Sequence, residues 1–182
     1  MRLPRPIRRF AADTRGSILV ESVLILPLLV WAYVGTFTMF EAFRIETLNT
    51  RSSYVIGDSI SRETNYVTPD YIEGMNDVFA MMTQAAEPTI LRVTVAEYDQ
   101  ETDAMSIDWS YATEGQDPHT PATLAGIDHY IPQQADGDKV IIVETWMQFQ
   151  PLMTNIIDPV EYSHISITRP RFAAQVPWNA GT

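Results

Sequence analysis

Cysteine is absent from the 182 residues, which removes a disulfide framework, a thiolate metal site and a cysteine nucleophile, and leaves the redox compartment open. Catalytic motifs are missing too. The chain contains no nucleophile elbow, P-loop, dinucleotide fingerprint or HExxH. Its three histidines, His119, His129 and His164, fall on two loops and a strand without ligand spacing, so surface or packing roles suit them better than metal binding. Basic residues are scarce outside the first fifteen positions. Arg2, Arg5, Arg8, Arg9 and Arg15 precede Gly16, where Asp13 is the only acid, and beyond it seven bases face 22 acids, a formal charge of −15. A body so acidic repels nucleic-acid phosphates.

What the sequence does have is one long apolar run, GSILVESVLILPLLVWAYVGTFTMF, from residue 16 to 40, with Glu21 as its single charged residue. As a helix it reaches about 36 Å, enough for a hydrocarbon core of about 30 Å. A membrane span is the expectation. The arginines before it place the N-terminus in the cytoplasm and the acidic body outside. Residues 1–15, with two prolines and no apolar run, read as an orienting or processing segment rather than folded structure. A Sec-type cleavage after Val30-Trp31-Ala32, giving a mature start at Tyr33, is the lesser alternative, because that site lies inside a run too long for a signal-peptide core.

A carboxylate within a membrane helix costs about 2.5–3.5 kcal/mol on insertion scales and needs a partner or a route to water. Cleavage after Gly16 would supply one. The freed ammonium of Ser17 lies four residues before Glu21, on the same helix face. Snorkelling of Glu21 to the interface is the simpler alternative. Pro27, inside the run, is tolerated in a membrane helix and predicts a kink or local unwinding. Trp31 and Tyr33 sit mid-run and read as lipid- or partner-facing bulk rather than an interfacial belt.

Gly16, Ser17, Glu21 and Pro27, in the text RGSILVESVLILPLL, resemble the prepilin signal and the start of TadE/TadG-like pseudopilins of the tight adherence (Flp, type IV-like) pilus system. KVIIVETWMQFQP and SITRPRF are similar to late strand segments of that family, while Ser22 departs from the aromatic that many members carry after the glutamate. The resemblance implies a leader of residues 1–16 removed by a prepilin peptidase between Gly16 and Ser17. It also implies pairing of Glu21 with a Ser17 ammonium, in the same or a neighbouring subunit. The partners it implies are other pilin or pseudopilin subunits and an inner-membrane assembly platform. The function implied is structural, a minor subunit that primes assembly or sits at the tip. The location would be the bacterial inner membrane with a periplasmic domain, extracellular after assembly. No enzymatic activity and no cofactor are expected. The rival reading is an unprocessed single-span envelope protein with a periplasmic binding domain.

The rest of the chain predicts one modest domain. The helix starting at 17 should continue to about residue 60, spanning the membrane to about residue 40, with Ile45, Leu48, Val55, Ile56 and Ile60 on a packing stripe that Ser52 and Ser59 interrupt, and Glu41, Arg44, Glu46 and Arg51 wet. Thr68-Pro69-Asp70 starts a second, short helix, with Ile72, Met75, Phe79 and Met82 on one face and its methionines as core filler. Residues 89–98 and 105–111 alternate as a hairpin, whose aromatic face could turn toward the first helix or toward a partner. Residues 114–138 are irregular, with one short helical turn at 122–130. Lys139–Phe149 reads as a central strand covered on both faces, and Glu161–Thr168 as the last strand, with a tail after Phe172 that is loose unless Trp178 anchors it. Asp99, Glu101 and Asp103 share the odd spacing of a calcium loop but lack its glycine and distal glutamate, so they read as a solvated turn and only weak metal candidates. The architecture expected is α+β and pilin-like: a leader over 1–16, a long N-terminal helix over 17–62, and an extracytoplasmic domain over 63–182 with about four antiparallel strands and a short second helix.

Overall fold

The computed structural model describes residues 17–151, 154 and 157–181. Helix α1 runs from Ser17 to Ser61 and passes through Pro27 without a break, so the local unwinding expected there does not occur. It is followed by α2 (Pro69–Thr83), β1 (Ile90–Asp99), β2 (Ala104–Ala112), the short α3 (Pro121–Ala125), a 3-10 turn (Asp128–Tyr130), β3 (Lys139–Phe149) and β4 (Val160–Thr168). The chain divides into two compact units, Met1–Glu41 and Ala42–Thr182.

The second unit is α+β, built on one antiparallel sheet of order β2-β1-β3-β4. β1 and β3 are central, which is why Val140 to Val143 form an unbroken buried run. One face of the sheet presents Leu91, Val93, Val95, Ile141, Val143, Met147 and Phe149 to residues 42–61 of α1 and to α2. The other presents Ala96, Val140 and Ile142 to Leu124 of α3 and to Ile127 and Ile131. Each core apolar side chain removed from water contributes about 1.5–3 kcal/mol.

The packing stripe of α1 is more polar than its hydrophobic pattern predicts. Ala42, Ile45, Asn49, Ser52, Ser53, Ile56, Gly57 and Ile60 are buried at helical spacing, whereas Val55, expected on that stripe, is exposed. Small and hydrogen-bonding residues allow a close approach. The Asn49 side-chain oxygen accepts from Thr145 Oγ1 at 2.7 Å, Ser166 Oγ donates to the Ser53 carbonyl at 3.3 Å, and a Cβ on Gly57 would lie 3.3 Å from Ser166 Oγ. Geometry rather than apolarity selects this face.

Helix α2 starts where the sequence places it. Thr68 caps it by accepting from the Tyr71 amide at 3.2 Å, Pro69 opens it, and Gln84 ends it in a left-handed conformation. Ile72 and Phe79 fill the core and Met75 packs against it, but Met81 is exposed, so core filling does not hold for that methionine.

A bulge between Val95 and Ala96 shifts the β1–β2 register. Met105 and Ile107 therefore join the α3 side, while Trp109 and Tyr111 turn to the opposite side. The single aromatic-bearing face expected from strict alternation is divided. Trp109 Nε1 donates to the Val176 carbonyl at 2.8 Å and its ring stacks on Trp178 at 4.7 Å; Tyr111 hydroxyl donates to Glu73 of α2 at 2.8 Å. Residues 176–179 are accordingly held in place, the alternative in which Trp178 anchors the tail. The Val67 amide donates to the Pro177 carbonyl and the Asn179 amide to the Val67 carbonyl, forming a one-residue parallel bridge.

Candidate functional site

Gly16 and the basic segment 1–16 lie outside the described residues. Ser17 opens α1, with Glu21 one turn later and exposed. Around it Ile18, Leu19, Val20, Val23, Leu24, Leu26, Leu28, Leu29, Val30, Trp31 and Tyr33 are all more than half exposed. Among the described residues one helix is long and apolar enough to cross a membrane, and it is α1. Two threonine hydroxyls further along are satisfied inside the helix: Thr36 Oγ1 donates to the Ala32 carbonyl at 2.9 Å and Thr38 Oγ1 to that of Val34 at 2.9 Å. Glu21 is the exception in chemistry, a carboxylate on an otherwise apolar helix surface.

Of the three weak metal candidates, Asp99 and Asp103 shape the β1–β2 turn through their carboxylates, and Glu101 is exposed in it. Asp99 accepts from the Glu101 amide at 2.8 Å and from Thr102 Oγ1 at 2.9 Å, and these bonds, the Thr102 one first, hold its carboxyl below the ordinary range. Asp103, with φ of 50°, accepts from the Tyr98 hydroxyl at 2.7 Å. Among the described residues no three His, Asp or Glu side chains come together as a metal cluster.

The most organised polar group is one the sequence reading did not assemble. Arg92 and Glu144 are direct cross-strand partners on the α3 side of the sheet. Arg92 donates to Glu144 through Nε at 2.6 Å and Nη2 at 2.8 Å, and through Nη1 to the Asp117 carbonyl at 3.1 Å. His119 is buried beside them, with Nε2 at 2.8 Å from Glu144 Oε2 and Nδ1 at 2.9 Å from Thr123 Oγ1. Burial first, and the Arg92 charge after it, push the imidazole down, outweighing the pull of Glu144, whose charge the guanidinium already holds. The His119 amide donates to Ser110 Oγ, which in turn bonds Thr94 Oγ1.

Carboxylate, imidazole and hydroxyl in line resemble a hydrolytic triad, but the surroundings suit a latch. Arg92 neutralises the carboxylate bidentately, and the Thr123 hydroxyl is engaged in the α3 capping box, where the Thr120 amide donates to it at 2.8 Å. The group ties residues 117–123 to the two central strands. One signal for it was present: Glu144 interrupts a run read as a doubly covered strand, and a buried carboxylate requires a partner.

No family model, curated protein or solved structure matches the chain.

Proposed function

We propose that the chain is a non-catalytic, pilin-like subunit, a minor component of a tight adherence pilus that is cut between Gly16 and Ser17 and assembles through α1. The observation that supports this most is α1 itself. Its first stretch is apolar and exposed, with Glu21 as the one charged side chain between residues 17 and 40, and its residues from Ala42 onward are core elements of an α+β unit. A plain anchor accounts for the length and leaves Glu21 as an unexplained cost.

In this reading a prepilin peptidase removes the arginine-rich leader and exposes the Ser17 ammonium. That ammonium pairs with Glu21, in the same chain or in a neighbouring subunit, and so lowers the cost of holding the carboxylate in the membrane. In the same reading the leader is cytoplasmic and the acidic unit periplasmic, an orientation that the arginine asymmetry favours. Other pilin subunits and an inner-membrane platform are the partners.

Intact mass of the chain purified from membranes tests the proposal. Loss of residues 1–16 is the expected result; a retained leader, or a mature start at Tyr33, overturns it.

A further inference from the structure

A cavity of about 230 Å³ opens between the β1–β2 turn and the segment following the 3-10 turn, lined by Tyr98, Asp103, Met105, Asp128, Ile131 and residues 132–134. It joins two regions far apart in sequence. The Gln100 amide donates to Asp136 Oδ1 at 3.0 Å, the Tyr98 amide to the Asp138 carbonyl at 3.0 Å, and the Gly137 amide to the Tyr98 carbonyl at 2.9 Å, so both walls are pinned to β1. The walls differ in chemistry. Met105, Ile131 and Pro132 supply apolar surface, Tyr98 supplies an aromatic ring, and Asp103 and Asp128 supply carboxylates.

No lysine or arginine lines the cavity. Lys139, on β3, bonds Asp108 and Glu97, while Arg169, just past the end of β4, bonds Asp138 and the side-chain oxygen of Gln134 at the cavity's edge. The Tyr98 phenol is pushed up, first by its hydrogen bond to Asp103, with the fields of Asp136 and Asp128 adding to it.

We propose that this cavity is a binding site for a single organic cation, an alkylammonium or alkylguanidinium group whose charge meets Asp103 and Asp128 and whose carbon stem lies against Tyr98, Met105 and Ile131. The volume is below the roughly 300–1,000 Å³ of sites for drug-sized ligands and suits one side chain or a small amine. An aromatic ring with carboxylates favours a cation that carries an apolar stem over a bare metal ion. This site is independent of the pilus reading.

The test uses the full chain in a non-ionic maltoside detergent with methyl-labelled methionine, following the Met105 resonance by NMR. Two probes separate the sources of such a cation: propylguanidinium, and a blocked peptide with one arginine between glycines. Saturable shifts of Met105 are expected with at least one probe, weakened at least five-fold in Asp128→Asn and in Asp103→Asn and unchanged in Asp77→Asn on α2. Tighter binding of the peptide assigns the site to a protein side chain, and equal or tighter binding of propylguanidinium assigns it to a free amine. Met75, packed against the main core, reports that each variant is folded. Shifts reproduced by sodium chloride at equal ionic strength, shifts unaltered by the Asp128 and Asp103 substitutions, or tighter binding of calcium than of either probe overturn the proposal.

Discussion

Arg92 and Glu144 face each other across the two central strands and are joined by two charge-assisted bonds of 2.6 and 2.8 Å, with the carboxylate side chain 4% exposed. Removing one member leaves the others buried and uncompensated. Glu144→Ala is therefore expected to cost about 3–5 kcal/mol, read from urea denaturation. An effect below about 1 kcal/mol, the level of an exposed pair, would show that the pair is not holding the sheet to residues 117–123.

The imidazoles make stability depend on pH in a stated direction. Burial pushes both His119 and His164 down from their ordinary value. The unfolded chain then binds protons that the folded chain refuses, so stability is full above about pH 6.5, the unfolded value, and is lost as pH falls toward the folded values. Denaturation midpoints at pH 7.5, 6.5 and 5.5 should decline in that order. His119→Gln should flatten the decline, and an unchanged slope would remove His119 from the account.

Two helical glycines should respond in opposite directions. Gly57 lies against Ser166 and Val143, and Gly57→Val is expected to destabilise by about 1–3 kcal/mol through overpacking. Gly74, mid-helix in α2, has open space where a Cβ would stand, and Gly74→Ala should stabilise by up to about 1 kcal/mol. Thermal melts of the pair suffice. A stabilising Gly57→Val would mean that α1 can back away from the sheet freely.

Processing can be probed at either end of the Ser17 turn. Gly16→Leu should remain full length by mass; normal trimming would move the cleavage site. Glu21→Ala should still be cleaved yet be recovered less with other pilin subunits, and undiminished recovery would count against the ammonium pairing.

Trp178→Ala should release the segment bridged to Val67. Loss of the stack on Trp109 is worth about 0.5–1.5 kcal/mol beyond buried area, and hydrogen exchange at the Val67 and Asn179 amides should accelerate. Protection that survives would place the anchor in Val176 instead.

Local features of the fold were legible wherever one residue's neighbours decide its state. Thr68-Pro69-Asp70 carries its own capping chemistry, and the unbroken Val140–Val143 run has meaning only for a strand covered twice. Features that depend on a partner distant in sequence were not. The bulge at Val95/Ala96 is invisible in an alternating string, because one inserted residue preserves the alternation on either side while reversing the face. Asn49 and Ser53 look like wet positions until Thr145 and Ser166 arrive opposite them. The same separation hid His119 from Glu144, 25 residues away, and Asp103 from Asp128 across the cavity.

The bond from Trp109 to the carbonyl of Val176 has a consequence in time. Its two ends are separated by 67 residues of sequence. At a synthesis rate of about 5–20 residues per second, roughly 3–13 s pass between synthesis of the indole and synthesis of the carbonyl that accepts its hydrogen bond. Until those residues exist the indole has neither the Val176 carbonyl to donate to nor Trp178 to stack on, so the β2 edge reaches its final packing only after the C-terminal segment arrives.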